Sequence, residues 1–86
     1  MSELATVVRK FPTHELIVRR LYARMPEFRS LCEDYATARG ALERWRADEG
    51  RARDFQQLTE EIEAEIEEFI HGALKAVRHA NPENES

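Results

Sequence analysis

The most specific chemical pattern in the sequence is a glutamate followed three residues later by a histidine, Glu68 and His71. Residues three apart share one face of a helix, and carboxylate-bridged di-iron bundles use a Glu-x-x-His pair of this kind. Such a site also needs inward carboxylates from a facing helix, where Glu33, Asp34 and Glu43 fall mostly off the apolar seam. The sequence therefore predicts no metal and no cofactor, with Glu68 and His71 as weak metal candidates.

A second reactive residue type occurs once, as Cys32. A single cysteine cannot form an internal disulfide or a cysteine-based zinc site, and the spacing of acids and histidines predicts no catalytic triad around it. Because Cys32 follows the seam residue Leu31, we expect it to be a small buried side chain. The sequence also contains no glycine-rich phosphate loop, no G-x-S-x-G and no H-E-x-x-H motif. We therefore predict a non-enzymatic protein with no catalytic residue.

Basic residues are concentrated in the first part of the chain, where they could hold phosphate groups. Residues 1–53 carry 11 Lys/Arg and 8 Asp/Glu, a charge of +3, whereas residues 54–86 carry 2 and 9, a charge of −7. Nucleic-acid-binding domains are usually basic overall, but this chain has a net charge of −4. Polyanion or nucleic-acid binding is therefore the alternative function, through the cluster Arg9, Lys10, Arg19, Arg20 and Arg24.

The length and composition of the chain limit its class. Its 86 residues fit one domain, and charged residues make up 35% of them. No apolar run approaches the roughly 20 residues that a membrane span needs, and no signal-peptide pattern follows Met1. We expect a cytoplasmic protein without a membrane partner.

Apolar periodicity and two prolines divide the chain into helices, with no strand pattern. The expected architecture is a single helical domain over residues 1–80, with helices at about 3–10, 13–24, 26–48 and 54–79 and a disordered tail at 81–86. Pro12 ends the first helix, and Pro26 either separates the next two or kinks one continuous helix.

The remaining helix ends are assigned from capping residues. Thr13 is the expected cap of the second helix, and Gly50 is the expected positive-φ residue in the turn after the third. The last helix is then expected to begin near Asp54, with Gln57 completing a capping box.

Apolar residues at helical spacing predict which faces pack together. On the second helix they are Leu16, Ile17 and Leu21. The third helix has alternating spacings of three and four, typical of a coiled coil, at Phe28, Leu31, Tyr35, Ala38, Leu42 and Trp45. The last helix has a seam at Phe55, Leu58, Ile62, Ile66, Phe69, Ala73 and Val77, with Ile70 and Leu74 widening it.

Two long helices joined by a short turn are expected to form an antiparallel helical hairpin, which makes the chain all-α. Arginines of the third helix, Arg39, Arg44 and Arg46, are expected to face glutamates of the last. A hairpin alone buries one thin seam and needs a third layer. Either the short N-terminal helices supply it, giving a small three-helix bundle, or a second copy does, giving a dimeric four-helix bundle. We favour the dimer, because twofold dimers are the commonest oligomers.

Part of the sequence follows the pattern F-P, then hydrophobic-x-R-L and F-x-S-L. The match runs without gaps from Phe11 to Tyr35. The matching residues are Phe11-Pro12, Val18, Arg20-Leu21, Pro26, Phe28, Ser30-Leu31 and Tyr35. In this it resembles the YdcH-like family of short bacterial proteins, although Tyr35 stands where that family often has a histidine. The resemblance implies a cytoplasmic, self-associating helical hairpin and supplies no catalytic residue.

These observations together predict a helical protein–protein interaction module. We expect a homodimer or a complex with a helical protein partner, because the apolar stripe of the last helix is wider than one neighbour needs. The expected interaction surface is Ile66, Ile70, Leu74, Val77, Leu4, Val7 and Val8.

Overall fold

The computed structural model describes residues 3–80, and their side chains through residue 77. Over that range the chain is all-helical, with four α-helices packed against one another and no strand. The helices are α1 Glu3–Lys10, α2 Glu15–Arg24, α3 Pro26–Arg44 and α4 Glu49–Ala80, and a 3₁₀ helix at Pro12–His14 precedes α2. The tail predicted at 81–86 lies outside the described residues.

The two proline residues in the described part of the chain, Pro12 and Pro26, each interrupt the helical backbone. Phe11, ahead of Pro12, has φ −123° and ψ 61°, and Met25, ahead of Pro26, has φ −117° and ψ 107°. Proline pushes the residue before it out of the α region, so a helix ends at each point. Pro26 is the first residue of α3, where its missing N–H costs no hydrogen bond. Pro26 therefore separates two helices and does not kink one.

The start of α2 differs from the prediction. The residue at its N-cap is His14, which makes no side-chain capping hydrogen bond. Thr13 lies in the preceding 3₁₀ turn, with its hydroxyl 3.3 Å from Nδ1 of His14. Because the fixed φ of Pro12 favours this tighter turn, the chain enters α2 two residues later and the predicted cap at Thr13 is wrong.

The start of α4 also differs, because the helix begins at Glu49 and not near Asp54. Asp48 is its cap: Oδ1 of Asp48 accepts a hydrogen bond from the backbone N–H of Arg51 at 3.1 Å. Gly50 lies inside the first turn, and no residue in the described part of the chain has a positive φ. The predicted roles of Gly50 and Asp54 are therefore wrong, since an aspartate six residues earlier caps the helix.

The connection between α3 and α4 is residues 45–48, because α3 ends at Arg44, before its predicted end at 48. Trp45 leaves the helix with φ −103° and ψ 22°, and its carbonyl accepts a hydrogen bond from the N–H of Asp48 at 2.9 Å. The guanidinium of Arg51 lies 4.1 Å from the centre of the Trp45 ring, a cation–π contact. A backbone hydrogen bond within the connection and a side-chain contact from α4 thus both stabilise it.

The core lies where all four helices meet. α1 contacts α2 and α3, α2 contacts α3 and α4, and α3 contacts α4 along its length. The buried apolar side chains are Val7, Val18, Leu21, Phe28, Cys32, Tyr35, Ala38, Ile62, Ile66 and Ile70. The predicted burial of Cys32 is confirmed. α1 and α2 thus pack on α3 and α4 within one chain.

Early residues of α3 contact late residues of α4, and later residues of α3 contact earlier residues of α4. Near the start of α3, the ring of Phe28 meets Phe69 edge to face, with centroids 5.6 Å apart. Two turns later, the hydroxyl of Tyr35 donates to Oε2 of Glu63 at 2.8 Å. Higher numbers on α3 therefore pair with lower numbers on α4.

The buried face of α2 differs from the predicted one. Val18 is fully buried, whereas Leu16 is 80% exposed. At about 100° per residue, these two lie about 200° apart, on opposite sides of the helix. Leu21 and Met25 continue the Val18 side, so the predicted packing of Leu16 is wrong.

The buried face of α4 is centred on Ile66. Leu58, at the edge of this stripe, is 43% exposed, while its polar neighbour Thr59 is 1% exposed. The hydroxyl of Thr59 is satisfied within the helix, because it donates to the carbonyl oxygen of Phe55 at 2.7 Å. The buried face of α4 therefore includes Thr59, which the predicted seam lacks, and Leu58 lies at its edge.

The expected ion pairs between α3 and α4 are not found. Within the described residues, no ion pair joins Arg39, Arg44 or Arg46 to a glutamate of α4. Arg46 pairs with Glu43, on its own side of the connection. The arginine side chains lie in water, where an exposed pair gains little free energy.

Candidate interaction surfaces

The predicted interaction surface divides between core and solvent. Ile66, Ile70 and Val7 are at most 2% exposed and pack inside their own chain. Leu4, Val8 and Leu74 are partly buried against that core, and Val77 is 51% exposed. These residues do not form one free surface, because α1 and α2 occupy the position that a partner was expected to take.

An open groove lies elsewhere, between α3 and α4, with a volume of about 450 Å³. Its apolar lining consists of Ala38 from α3 and of Phe55, Leu58 and Ile62 from α4. Three exposed carboxylates also line it: Asp34, Glu61 and Glu65. We call it the acidic groove. Its combination of apolar lining and negative charge suits a segment that is apolar and basic.

A second groove, of about 670 Å³, lies between α1 and α3. It is lined by the basic residues Arg9, Lys10 and Arg39, together with Tyr35, Gly40 and Glu43 among others. We call it the basic groove. By helical geometry its α3 residues lie on roughly the opposite side of α3 from Asp34 and Thr37 of the acidic groove. α1 therefore leaves the acidic groove uncovered.

The basic cluster predicted from sequence is distributed over two helices. Arg9 and Lys10 line the basic groove, whereas Arg19, Arg20 and Arg24 of α2 do not. Arg19 pairs with Glu15 one turn earlier, with Nε and Oε2 2.8 Å apart. The predicted cluster of five is thus a pair on α1 and a separate set on α2.

Polar contacts attach α1 to its neighbours. Nζ of Lys10 lies 3.6 Å from Oε2 of Glu63, the same atom that accepts the hydrogen bond from Tyr35. Burial and this hydrogen bond raise the pKa of Tyr35 above its ordinary value. At the other end of α1, Oε1 of Glu3 accepts a hydrogen bond from the hydroxyl of Tyr22 at 2.9 Å, which raises the pKa of Tyr22.

The residues singled out for chemistry do not converge. Glu68 and His71 are both exposed, and among the described residues no three His, Cys, Asp or Glu side chains lie close enough to hold a metal ion. Burial raises the pKa of the Cys32 thiol to about 12, which keeps it protonated at neutral pH. Glu68 instead borders an apolar depression beside Leu21, Met25 and Phe69.

Sequence reasoning missed two features of this surface. One is the acidic groove, which was signalled by Leu58 at the edge of the α4 stripe and by Glu61 and Glu65 three and seven residues later. The other is the outward position of Leu16 on α2, which was signalled by its place opposite Val18. Both features depend on the angle at which a residue projects from its helix. Selecting residues only because they are apolar does not take that angle into account.

No helix in the described part of the chain is long and apolar enough to cross a membrane. No family model matches the chain, and neither does any curated protein or solved structure. The resemblance of residues 11–35 to the YdcH-like family therefore stays a prediction.

Proposed function

We propose that the protein is a non-enzymatic, cytoplasmic interaction module that self-associates through the acidic groove. In this proposal α3 and α4 form an antiparallel hairpin, α1 and α2 supply its third layer, and a second copy covers what they leave open. The groove is the observation that carries it. Its apolar lining includes Ala38 and Ile62, which are 2% and 6% exposed, and extends to Leu58, which is 43% exposed.

The physical argument rests on uncovered apolar area. A large apolar side chain gains about 1.5–3 kcal/mol when it is removed from water. Leu58 and the half-buried Phe55 have gained only part of this in the single chain. A partner that covers the groove would complete the burial of these two side chains. The molecule is elongated, 55 × 21 × 20 Å, and the acidic groove is lined by residues of α3 and α4 alone.

Sedimentation equilibrium or light scattering at tens of micromolar tests the proposal. We expect a mass of twice the 10.1 kDa of one chain, with dissociation on dilution. A monomer at every concentration would contradict self-association.

The basic groove favours a second candidate function, which is polyanion binding. Arg9, Lys10 and Arg39 line one groove and could contact successive phosphates of a nucleic acid. It ranks second because Glu43 shares the groove, Lys10 already contacts Glu63, and the chain is acidic overall. A mobility-shift assay with single- and double-stranded nucleic acid at low salt tests it. Binding that weakens with salt and on Arg39→Glu is expected, and no shift even at low salt would exclude it.

A further inference from the structure

We infer that the occupant of the acidic groove is the outer face of α2 from a second copy of this chain. This rests on the proposed self-association and adds which two surfaces meet. Three large apolar side chains in the described residues are exposed: Leu16, Leu58 and Val77. Leu58 belongs to the groove itself, so the other two are the candidates to enter it.

The outer face of α2 is apolar at its centre and basic around it. Leu16 is 80% exposed, the most of the three, and lies opposite the buried Val18. Arg20 and Ala23 follow it on the same side, one and two turns along, and both are exposed. Arg19 and Arg24 border this strip, although Arg19 is already paired with Glu15. At 80% exposure, this leucine adds little buried apolar area to its own chain.

The acidic groove has the complementary composition. Its apolar lining from Phe55 to Ile62 spans two helical turns, about 10 Å, which is also the length from Leu16 to Ala23. Glu61 and Glu65 stand beside this lining as Arg20 stands beside Leu16. Burying Leu16 against Leu58 removes apolar area from water on both sides. Opposite charges around it orient the two surfaces and speed their encounter.

A second copy fits this groove better than an unrelated helix, because each chain carries both surfaces. In a twofold dimer, α2 of each copy occupies the groove of the other, so two contacts form at once and the assembly closes. Val77 is the less suitable apolar residue, because Ala73 and Leu74, one turn before it on α4, carry no charge that could pair with the carboxylates of the groove. Only Leu16 lies among arginines in the described part of the chain.

The test measures the dimer dissociation constant of the full chain by sedimentation. Leu16→Ser should raise it about tenfold or more, because it removes the buried leucine. Arg20→Glu and Glu65→Arg should each raise it by about threefold or more at low salt, and the double variant should recover most of that loss. Val77→Ser, the control at another exposed apolar site, should leave it unchanged. Thermal melting should show that Leu16→Ser folds normally.

The outcomes separate this inference from the proposed function. A wild-type chain that is monomeric throughout would overturn both. A wild-type dimer whose dissociation constant is unaffected by Leu16→Ser and by both charge reversals would overturn the α2 contact alone. Loss of the dimer in Val77→Ser, with Leu16→Ser unaffected, would assign the interface to the end of α4 and would equally overturn it. The charge-reversal variants test the same contact independently. Recovery of the dissociation constant in the Arg20→Glu, Glu65→Arg double variant would support it even if Leu16→Ser failed to fold.

Discussion

The two ends of the α3–α4 pair have similar apolar patterns but different burial. At the covered end, where α1 and α2 pack, Phe28, Cys32 and Tyr35 are at most 1% exposed. At the open end, next to the connection, Leu42, Trp45 and Phe55 are only partly buried and Leu58 is exposed. We call these the covered end and the open end. Apolar residues at the same seam spacing are therefore buried to different extents at the two ends of the pair.

The difference also bears on the proposed self-association. At the covered end, Phe28, Cys32 and Tyr35 are buried within one chain. The hydroxyl of Tyr35 is also hydrogen-bonded there, to Glu63. The open end keeps uncovered apolar area beside exposed carboxylates. We expect substitutions at the covered end to change folding and substitutions at the open end to change self-association.

The largest effect is expected from truncating matched phenylalanines. Phe28→Ala should lower the free energy of unfolding by about 3–5 kcal/mol, because the side chain is fully buried against Phe69. Phe55→Ala should cost about 1–2 kcal/mol, because half-burial removes less area from water. Urea unfolding at a concentration where the chain is monomeric measures both. Equal losses would contradict the distinction between the two ends.

Alkaline pH should destabilise the covered end. Burial raises the pKa of Cys32 from 9.0 to about 12, and burial with the Glu63 hydrogen bond raises that of Tyr35 above 10.0. Both neutral forms are favoured by the fold, so this stabilisation is complete below pH 9 and is lost as the pH rises toward 12. The melting temperature should be flat from neutral pH to 9 and then fall. Cys32→Ala should reduce the fall, and an unchanged fall in both Cys32→Ala and Tyr35→Phe would refute the assignment.

A smaller effect is expected where α4 begins. Asp48→Ala should cost about 1 kcal/mol, because it removes the acceptor of the Arg51 N–H. Asp54→Ala is the matched control, since Asp54 lies exposed inside α4 and caps nothing. Thermal or urea unfolding compares them. A larger loss for Asp54→Ala would mean that the helix begins where sequence reasoning placed it.

The smallest effect is expected at Gly40, between the covered and open ends. A Cβ there would meet no atom within 4 Å, so Gly40→Ala should stabilise the chain by up to about 1 kcal/mol through helix propensity alone. Gly72→Ala, equally unobstructed on α4, is the control and should gain a similar amount. A loss at Gly40 alone, measured by thermal melting, would indicate that α1 packs more closely on α3 than the basic groove allows.

The helices and their breaks follow from the sequence because their causes are local. A proline acts on the residue before it, which is why both breaks fall at Phe11 and Met25. Helix starts are harder, because several polar residues compete to cap. Asp48 and Asp54 both suit an N-cap, and only the path from α3 selects the first.

The faces of the helices were predicted less well, because tertiary contacts decide them. Leu16 and Ile17 look like one apolar pair, yet α2 packs on α3 and α4 with Val18 buried, Ile17 partly buried and Leu16 exposed. Thr59 is buried although it is polar, because its hydroxyl donates to the carbonyl oxygen of Phe55. The residues of the acidic groove on α4 can be read from the sequence, but whether α1 or α2 covers them depends on tertiary packing.

The short connection at residues 45–48 has a consequence for the order of folding. Bringing the ends of a loop together costs less conformational entropy when the loop is short, so the first contacts between α3 and α4 form at the open end at low cost. Contacts such as Phe28 with Phe69 join residues about forty positions apart and must wait for the two helices to extend. The acidic groove would then be present, and accessible to another newly made chain, before the core that stabilises the molecule is complete.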